Sequence, residues 1–304
     1  MKSIFVDCND ELAPVFARVR RPDDPPIAVN SAPFQPADLP RLLAGYDICL
    51  DDHSYMPTEI MAQCRSLKHI VFLGTGASSY MDVAALSALG ITVHTIKGYG
   101  DTAVAECAIG LMWASARNFC EMDRGMREGQ WLRRDAIQLT GKTLGLIGFG
   151  SIAAEAARLA LGCGMNVLAW NRTLKRHPGV TFVTLEQLLV ESHVVSLHLL
   201  LNDDTKNFLS RERIEMMRPS AILVNTARGA LVDEEAMIAA LRARRLAHAG
   251  LDVFAVEPLP AGHPLTTLPN VTLSAHSAFR TREASENLIC AALNHCRRIL
   301  STGR

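Results

Sequence analysis

Three residues in the second half of the chain have side chains suited to acid–base work on a small anion. Arg228 carries a planar, permanently charged fork that matches a carboxylate bidentately. His276 carries the one side chain whose ordinary titration lies near neutrality, so it can give or take a proton there. Glu257 could orient His276 and favour its protonated form. Cation, proton donor and orienting carboxylate are what hydride transfer at a carbon beside a carboxylate requires. Each also has an ordinary reading: Arg228 as a surface residue after a strand, His276 as a structural loop histidine, and Glu257 as a solvated carboxylate.

The segments that deliver them are short apolar runs. Ala221–Val224 reads as a strand delivering Asn225-Thr-Ala-Arg-Gly229. His248–Val253 is a strand containing Asp252, and Val271–Ser274 is a strand followed by His276. Arg228, Asp252 and His276 thus stand at or just beyond strand C-termini, the edge at which open parallel sheets bind ligands.

The organising stretch lies upstream. Thr143-Leu-Gly-Leu-Ile147 reads as a strand running into Gly148-Phe-Gly-Ser-Ile-Ala153, the pattern G-x-G-x-x-A. Gly148 permits the tight turn, Gly150 lets the backbone approach a pyrophosphate, and Ala153 lets the helix pack on the strand. The helix that follows points free N–H groups at the phosphates. Ile152, Ala156, Leu159 and Cys163 mark its expected buried stripe, and Asn166–Trp170 is the next strand. This βαβ unit points to dinucleotide binding.

The first hundred residues alternate strands (Ser3–Val6, Asp47–Leu50, His69–Leu73, Ile91–His94) with helices (Pro36–Ala44, Pro57–Cys64, Asp82–Leu89). Such alternation implies an α/β fold with parallel sheets. Leu73-Gly-Thr-Gly-Ala-Ser-Ser-Tyr80 is either an anion-binding loop or a plain flexible connection. Lys97–Thr102 leads into the apolar helix Ala103–Arg117. Thr184–Gln187 reads as a capping box, Val194–Leu201 as a buried strand, Glu234–Arg244 as a helix, and Thr281–Leu300 as a long final helix.

The chain has 304 residues, about half of them apolar, and a formal net charge of zero. Nothing in that balance draws it to nucleic acid or to an acidic membrane. No apolar run is long enough to span a bilayer, and Met1–Cys8 enters a strand without the apolar core of a signal peptide. The eight cysteines show no metal-ligand spacing, so no metal is expected and most read as small core residues. A reducing cytoplasmic setting is the expectation.

Several long motifs resemble the D-isomer-specific 2-hydroxyacid dehydrogenases, including their glyoxylate/hydroxypyruvate reductase and phosphoglycerate dehydrogenase-like members. They are Val224-Asn-Thr-Ala-Arg-Gly-Ala-Leu-Val-Asp-Glu-Glu235, Ala249-Gly-Leu-Asp-Val-Phe-Ala-Val-Glu-Pro-Leu-Pro260, and His263-Pro-Leu with Asn270-Val-Thr-Leu-Ser-Ala-His276. With Ala103-Val-Ala-Glu106 and the glycine loop, the likeness covers nearly the whole chain. The resemblance implies two doubly wound parallel-sheet domains, a Rossmann NAD(P) domain (101–276) inserted into a flavodoxin-like substrate domain (1–100 and 277–304). It implies an oxidoreductase that moves a hydride between NAD(P)H and a small 2-keto acid to give the D-2-hydroxy acid. It also implies a homodimer, for which Ala103–Arg117 is the expected interface region.

By position, the resemblance makes Arg228 the substrate anchor, His276 the acid/base and Glu257 its partner. Asp252 would hold the nicotinamide carboxamide. Thr226, Ser151 and Ile152 would contact the cofactor, and the Gly74-Thr75-Gly76 backbone would help to hold the substrate carboxylate. Relatives with formate dehydrogenase activity carry Gln where Glu257 stands, which argues against formate. Three departures matter. Leu200 and Ala275 replace usual prolines, and Ala275 should loosen the loop carrying His276. Asn171 replaces the acidic residue that holds the ribose of NAD, and Arg172 and Thr173 follow it. Loss of the carboxylate removes repulsion against a 2′-phosphate, which favours NADP over NAD; the alternative is that Arg172 stacks on adenine and NAD still binds. A second functional reading is a nucleotide-sensing, corepressor-like binding protein on the same fold, with little turnover.

Overall fold

Apolar runs of three to five residues become strands here, each followed by a crossover that returns the chain to the same end of its sheet. The computed structural model describes residues 1–302. Gly303 and Arg304, the end of the expected 277–304 return, lie outside the described residues. The chain divides into two units: Met1–Gly100 with the chain from Arg280 onward, and Asp101–Phe279.

In the first unit β1 (Ser3–Phe5), β2 (Ile27–Val29), β3 (Ile48–Asp51), β4 (His69–Phe72) and β5 (Thr92–Thr95) form a parallel sheet in the order β2-β1-β3-β4-β5. This is the flavodoxin-like strand order. Alternate residues face opposite sides of the sheet, and both sides are covered. Phe5, Ile48, Leu50 and Val71 pack with Phe16 and with Leu288, Ile289, Leu293 and Ile299 of the terminal helix Arg282–Thr302. Ile4, Cys49, Ile70 and Phe72 pack on the other side with Leu39, Leu43, Met61 and Leu86.

The second unit holds β6 (Thr143–Ile147), β7 (Asn166–Trp170), β8 (Val180–Phe182), β9 (Val194–Leu197), β10 (Ile222–Asn225), β11 (His248–Leu251) and β12 (Val271–Leu273). Their order is β12-β11-β10-β9-β6-β7-β8, all parallel. It is the Rossmann order with one strand added beyond β11, and the direction of winding reverses between β6 and β9. The helix Asp101–Ala116 buries Ala105, Ala108, Leu111 and Met112 against one side of this sheet, together with the helix Ser151–Gly162.

Several elements differ from the sequence reading. The strand read over Val194–Leu201 stops at Leu197, where its partner β6 ends at Ile147. The buried stripe of the glycine-loop helix is Ala153, Ala156, Ala157 and Ala160; Ile152 and Leu159 are partly buried and Cys163 is exposed. Alanines let this helix lie close to its neighbours, and that closeness shifts the buried face. Only half of the capping box forms: Thr184 accepts from Gln187 N–H at 3.2 Å, while the Gln187 side chain turns to Glu191. The helices Leu12–Val19, Phe119–Arg127 and Arg211–Met216 and the edge strands β2 and β8 lie in stretches for which the sequence reading names no element. The second unit runs on to Phe279 rather than ending at 276, because Ser277 and Ala278 donate N–H bonds back to Asp252. Half the cysteines (Cys8, Cys49, Cys64 and Cys296) are buried; Cys163 and Cys290 are exposed. Among the described residues no helix is long and apolar enough to cross a membrane, and no three or more His, Cys, Asp or Glu side chains group as a metal site.

Three histidines meet in the first unit: His69 on β4, His94 on β5 and His295 on the terminal helix. His69 Nδ1 and His94 Nε2 lie 3.2 Å apart, and the His94 and His295 rings are 5.7 Å apart. Burial, then the neighbouring imidazoles and Arg298, holds the His94 pKa down from 6.5 to about 4. The folded state therefore keeps His94 neutral while the unfolded chain takes up a proton near pH 6.5. Its contribution to stability is complete above that pH and is lost as pH falls toward 4. The urea midpoint should drop between pH 7 and pH 5, and His94→Gln should reduce that drop. An equal drop in the variant would remove His94 from the account.

Candidate functional site

The first glycine of the loop meets a steric demand that only glycine can. Gly148 has φ +85°, and a Cβ there would lie 2.6 Å from the His198 carbonyl oxygen. Nothing lies within 4 Å of a Cβ built on Gly150, so the chain leaves open space at that point. Gly150 is the extended N-cap of the helix Ser151–Gly162. The first N–H groups of a helix have no intrahelical acceptor, so Ser151 and Ile152 offer donors at the rim of that space. Ala153 is fully buried, as the close packing of helix on strand requires.

At the end of β7, Asn171 is committed to the protein. Its Oδ1 accepts from Phe149 N–H at 3.0 Å, and its Nδ2 donates to the carbonyl and hydroxyl of Thr173 at 2.8 and 3.0 Å. Arg172 is exposed. Lys175, not singled out from the sequence, donates from Nζ to the Phe149 carbonyl at 2.6 Å and puts a second cation by the loop. Thr226, just after β10, holds a buried hydroxyl with no hydrogen-bond partner in the protein. An open glycine, unpaired helix N–H donors and an orphan hydroxyl fit the phosphates and sugars of a dinucleotide.

Adjacent strands β10, β11 and β12 deliver the second group. Buried Asn225 shapes the turn carrying Arg228: its Oδ1 accepts from Ala227 N–H at 3.0 Å and its Nδ2 donates to the Arg228 carbonyl at 2.9 Å. The Arg228 side chain is exposed and folded back, with Nη1 donating to the Ala227 carbonyl at 2.7 Å. Gly229 lies directly against the next loop; a Cβ there would fall 1.9 Å from the carbonyl carbon of Phe254.

Asp252 is fully buried. Its Oδ1 accepts from the Ser274 hydroxyl at 2.6 Å and from Ser277 N–H at 3.0 Å, and its Oδ2 accepts from Ala278 N–H at 2.9 Å. Its backbone carbonyl accepts His276 N–H at 2.7 Å. The residue that the resemblance places at the nicotinamide carboxamide thus gives its carboxylate to the His276 loop. This clamp holds the loop that Ala275 was expected to loosen, and holds His276 itself in a left-handed conformation at φ 47°.

Glu257 divides its carboxylate. Oε1 accepts from Phe254 N–H at 2.9 Å, and Oε2 lies 2.6 Å from His276 Nδ1. The pair is about one-third exposed. With Nδ1–H donated to Glu257, His276 Nε2 has no hydrogen-bond partner among the described residues. A carboxylate-backed imidazole with one nitrogen open is equipped to pass a proton. In the first unit, Gly74-Thr75-Gly76 follows β4, with Thr75 exposed at the loop tip and the Gly74 carbonyl accepting Ile96 N–H at 2.9 Å.

The family model for the NAD-binding domain of D-isomer-specific 2-hydroxyacid dehydrogenases matches residues 109–278. A glyoxylate reductase of Aeropyrum pernix is 36% identical over 255 residues, 77% of this chain and 76% of that protein. A glycerate dehydrogenase of Methylorubrum extorquens is 36% identical over 265 residues, 84% of this chain and 83% of that protein. Among solved structures, a protein from Thermus thermophilus superposes with TM-score 0.88 at 35% identity, covering 100% of this chain and 98% of that one.

The contact at Gly229 makes a direct test of how the two loops fit together. Gly229→Ala must push the Arg228 turn off the Phe254–Ala255 peptide. It should cost about 1–3 kcal/mol of stability and lower any Arg228-dependent turnover by more than about tenfold. Unchanged melting and turnover would show that the loops do not meet as described.

Proposed function

The chain belongs to the D-isomer-specific 2-hydroxyacid dehydrogenases, and from that membership we propose that it reduces a small 2-keto acid to the D-2-hydroxy acid, with NADPH as the preferred cofactor. The observation that carries this reading is the 2.6 Å Glu257–His276 pair with His276 Nε2 left open, one strand from the Asp252 clamp and two from the Arg228 turn. Bound reduced nicotinamide supplies the hydride to the keto carbon. Arg228 swings its fork from the Ala227 carbonyl to the substrate carboxylate and polarises the carbonyl. His276, charged and held at Nδ1 by Glu257, gives the Nε2 proton to the carbonyl oxygen as the hydride arrives. Glu257 fixes the ring and its tautomer through Nδ1. Arg228 and His276 are the catalytic residues; Glu257 positions His276.

Gly148, Gly150, Ser151, Ile152 and Thr226 hold the cofactor's phosphates and sugars, and Asp252 secures the His276 loop that borders it. In the Gly74-Thr75-Gly76 loop, Thr75 and Gly76 would offer backbone N–H donors to the substrate carboxylate, while Gly74 N–H is taken by the Phe72 carbonyl at 2.9 Å. The names of the relatives, a glyoxylate reductase and a glycerate dehydrogenase, support an acid of two or three carbons. They lend no support to a nucleotide-sensing protein without turnover. For the cofactor, Asn171 places no negative charge at the ribose and spends its amide on Phe149 and Thr173. Exposed Arg172, the Thr173 hydroxyl and nearby Lys175 then favour a 2′-phosphate.

A homodimer is part of the proposal. The helix Asp101–Ala116 spends much of its apolar surface inside its own unit. The apolar surface open to a second copy follows it: Phe119, Met126 and Trp131 are exposed, Trp131 by 74%, and Met126 and Trp131 line a hollow of about 370 Å³. Trp131→Glu should turn the dimer into a monomer by sedimentation; a monomeric parent would end this part.

The reading is tested by following the reduced-nicotinamide band with NADPH or NADH and a panel of 2-keto acids. Turnover with lower KM for NADPH is expected. Preference for NADH would remove the argument from Asn171 and Arg172 and leave the reductase standing. His276→Gln should lose more than about a hundredfold in kcat while binding NADPH as the parent does; near-normal turnover would refute the role of His276.

A further inference from the structure

A second carboxylate–imidazole pair stands behind the first. Glu234, the first residue of the helix Glu234–Arg242, lies with Oε1 3.3 Å from His263 Nε2. Both side chains are about one-fifth exposed. His263 Nδ1 accepts from Leu265 N–H at 3.4 Å, so the ring proton of its neutral form resides on Nε2 and points to Glu234. Both ring nitrogens of His263 are therefore engaged, whereas His276 has one nitrogen open. His263 is built to hold, not to exchange a proton.

What it holds is a single peptide. The other oxygen of Glu234, Oε2, accepts from Ala255 N–H at 3.4 Å. The Phe254–Ala255 peptide is the one that Gly229 touches: a Cβ on Gly229 would lie 2.2 Å from the Phe254 oxygen and 2.4 Å from the Ala255 nitrogen. Phe254 also donates its N–H to Glu257 Oε1. This short segment thus bears on the Arg228 turn through Gly229 and on His276 through Glu257. Beyond His263 the chain enters the turn Pro264–Thr266, whose start the His263 ring caps. Glu234 and His263 so tie a helix start and a loop to the peptide on which both catalytic side chains are referenced.

We propose that Glu234 and His263 are positioning residues for the reductase reading, which this inference takes as its base. They fix the Phe254–Ala255 peptide so that the Arg228 turn and the Glu257–His276 pair keep their register. Without that tie the Glu257 turn loosens, its carboxylate holds His276 Nδ1 less firmly, and the Arg228 fork is placed less accurately for the substrate carboxylate. Misplacement of reacting groups by about 1 Å costs on the order of a hundredfold in rate, so partial loosening is expected to cost about tenfold.

The test uses the full chain with Glu234→Ala, His263→Phe and His263→Gln. Two readouts run together: steady-state kinetics with the best keto acid and NADPH, and the proton NMR signal of His276 Nδ1–H without ligands. For Glu234→Ala and His263→Phe the expected result is a kcat about tenfold lower and a raised keto-acid KM. NADPH affinity should stay within about twofold. The Nδ1–H signal, expected far downfield in the parent from its 2.6 Å bond to Glu257, should move upfield or be lost to solvent exchange. His263→Gln, whose amide can still donate to Glu234, should recover part of the kcat and of the signal. Lowered melting with kcat and the Nδ1–H signal unmoved would overturn the proposal and leave the pair merely structural. If the parent turns over no keto acid, the reductase reading fails on its own; the Nδ1–H signal then still decides whether the pair acts on His276.

Discussion

A carboxylate taken wholly out of water must be met by donors, and Asp252 meets that demand by gathering the chain around itself. Its two oxygens and its carbonyl receive a hydroxyl and three backbone N–H groups, all from residues 274–278. Leaving any of those acceptors unmet would cost about 1–3 kcal/mol, so the loop is held as one piece. The same clamp sustains the left-handed backbone of His276, a conformation that a non-glycine residue adopts at a cost. Where a proline would have stiffened the loop from within, buried hydrogen bonds stiffen it from below.

Close packing does the equivalent work on the other side. Gly229 has no Cβ, so the Arg228 turn rests on the Phe254–Ala255 peptide itself. Backbone against backbone transmits position better than long side chains do, because there are no rotamers to absorb a shift. The two histidine pairs then separate by tautomer. His263 receives an N–H at Nδ1 and faces Glu234 with Nε2, while His276 faces Glu257 with Nδ1 and keeps Nε2 open. The same two residue types thus serve one bond that holds and one that can exchange.

Much of this was legible where chemistry restricts the choice of residue. Gly148 is required by φ and by the His198 carbonyl, and Arg228, Asp252 and His276 follow three apolar runs that became neighbouring strands. Other features were hidden because they depend on partners distant in sequence. The apolar run after Val194 continues through Leu201, but a strand ends where its neighbour ends, and β6 ends at Ile147. The helix Leu12–Val19 is short and carries a proline in its first turn, and its one cue is Asn9, whose Oδ1 accepts from Glu11 and Leu12 N–H; β2 is a three-residue edge strand with no strong local signal. The Glu234–His263 contact joins motifs that each read as part of a signature, and nothing in either names the other. Asn171 was legible as a missing charge, but not as the acceptor of Phe149 N–H.

The insertion of one unit into the other has a consequence for how the polypeptide acquires its structure. All five strands of the first sheet are contributed before Gly100, yet the helix that covers one side of that sheet begins at Arg282. A chain emerging from the ribosome N-terminus first presents Phe5, Phe16, Leu50 and Val71 without Leu288, Ile289, Leu293 and Ile299. The whole of Asp101–Phe279 is synthesised in the interval. At roughly 5–20 residues per second that interval is on the order of ten seconds or more, long compared with the folding of a typical domain. The first unit is therefore begun early and closed last, and the apolar side of its sheet is the surface most in need of protection during synthesis.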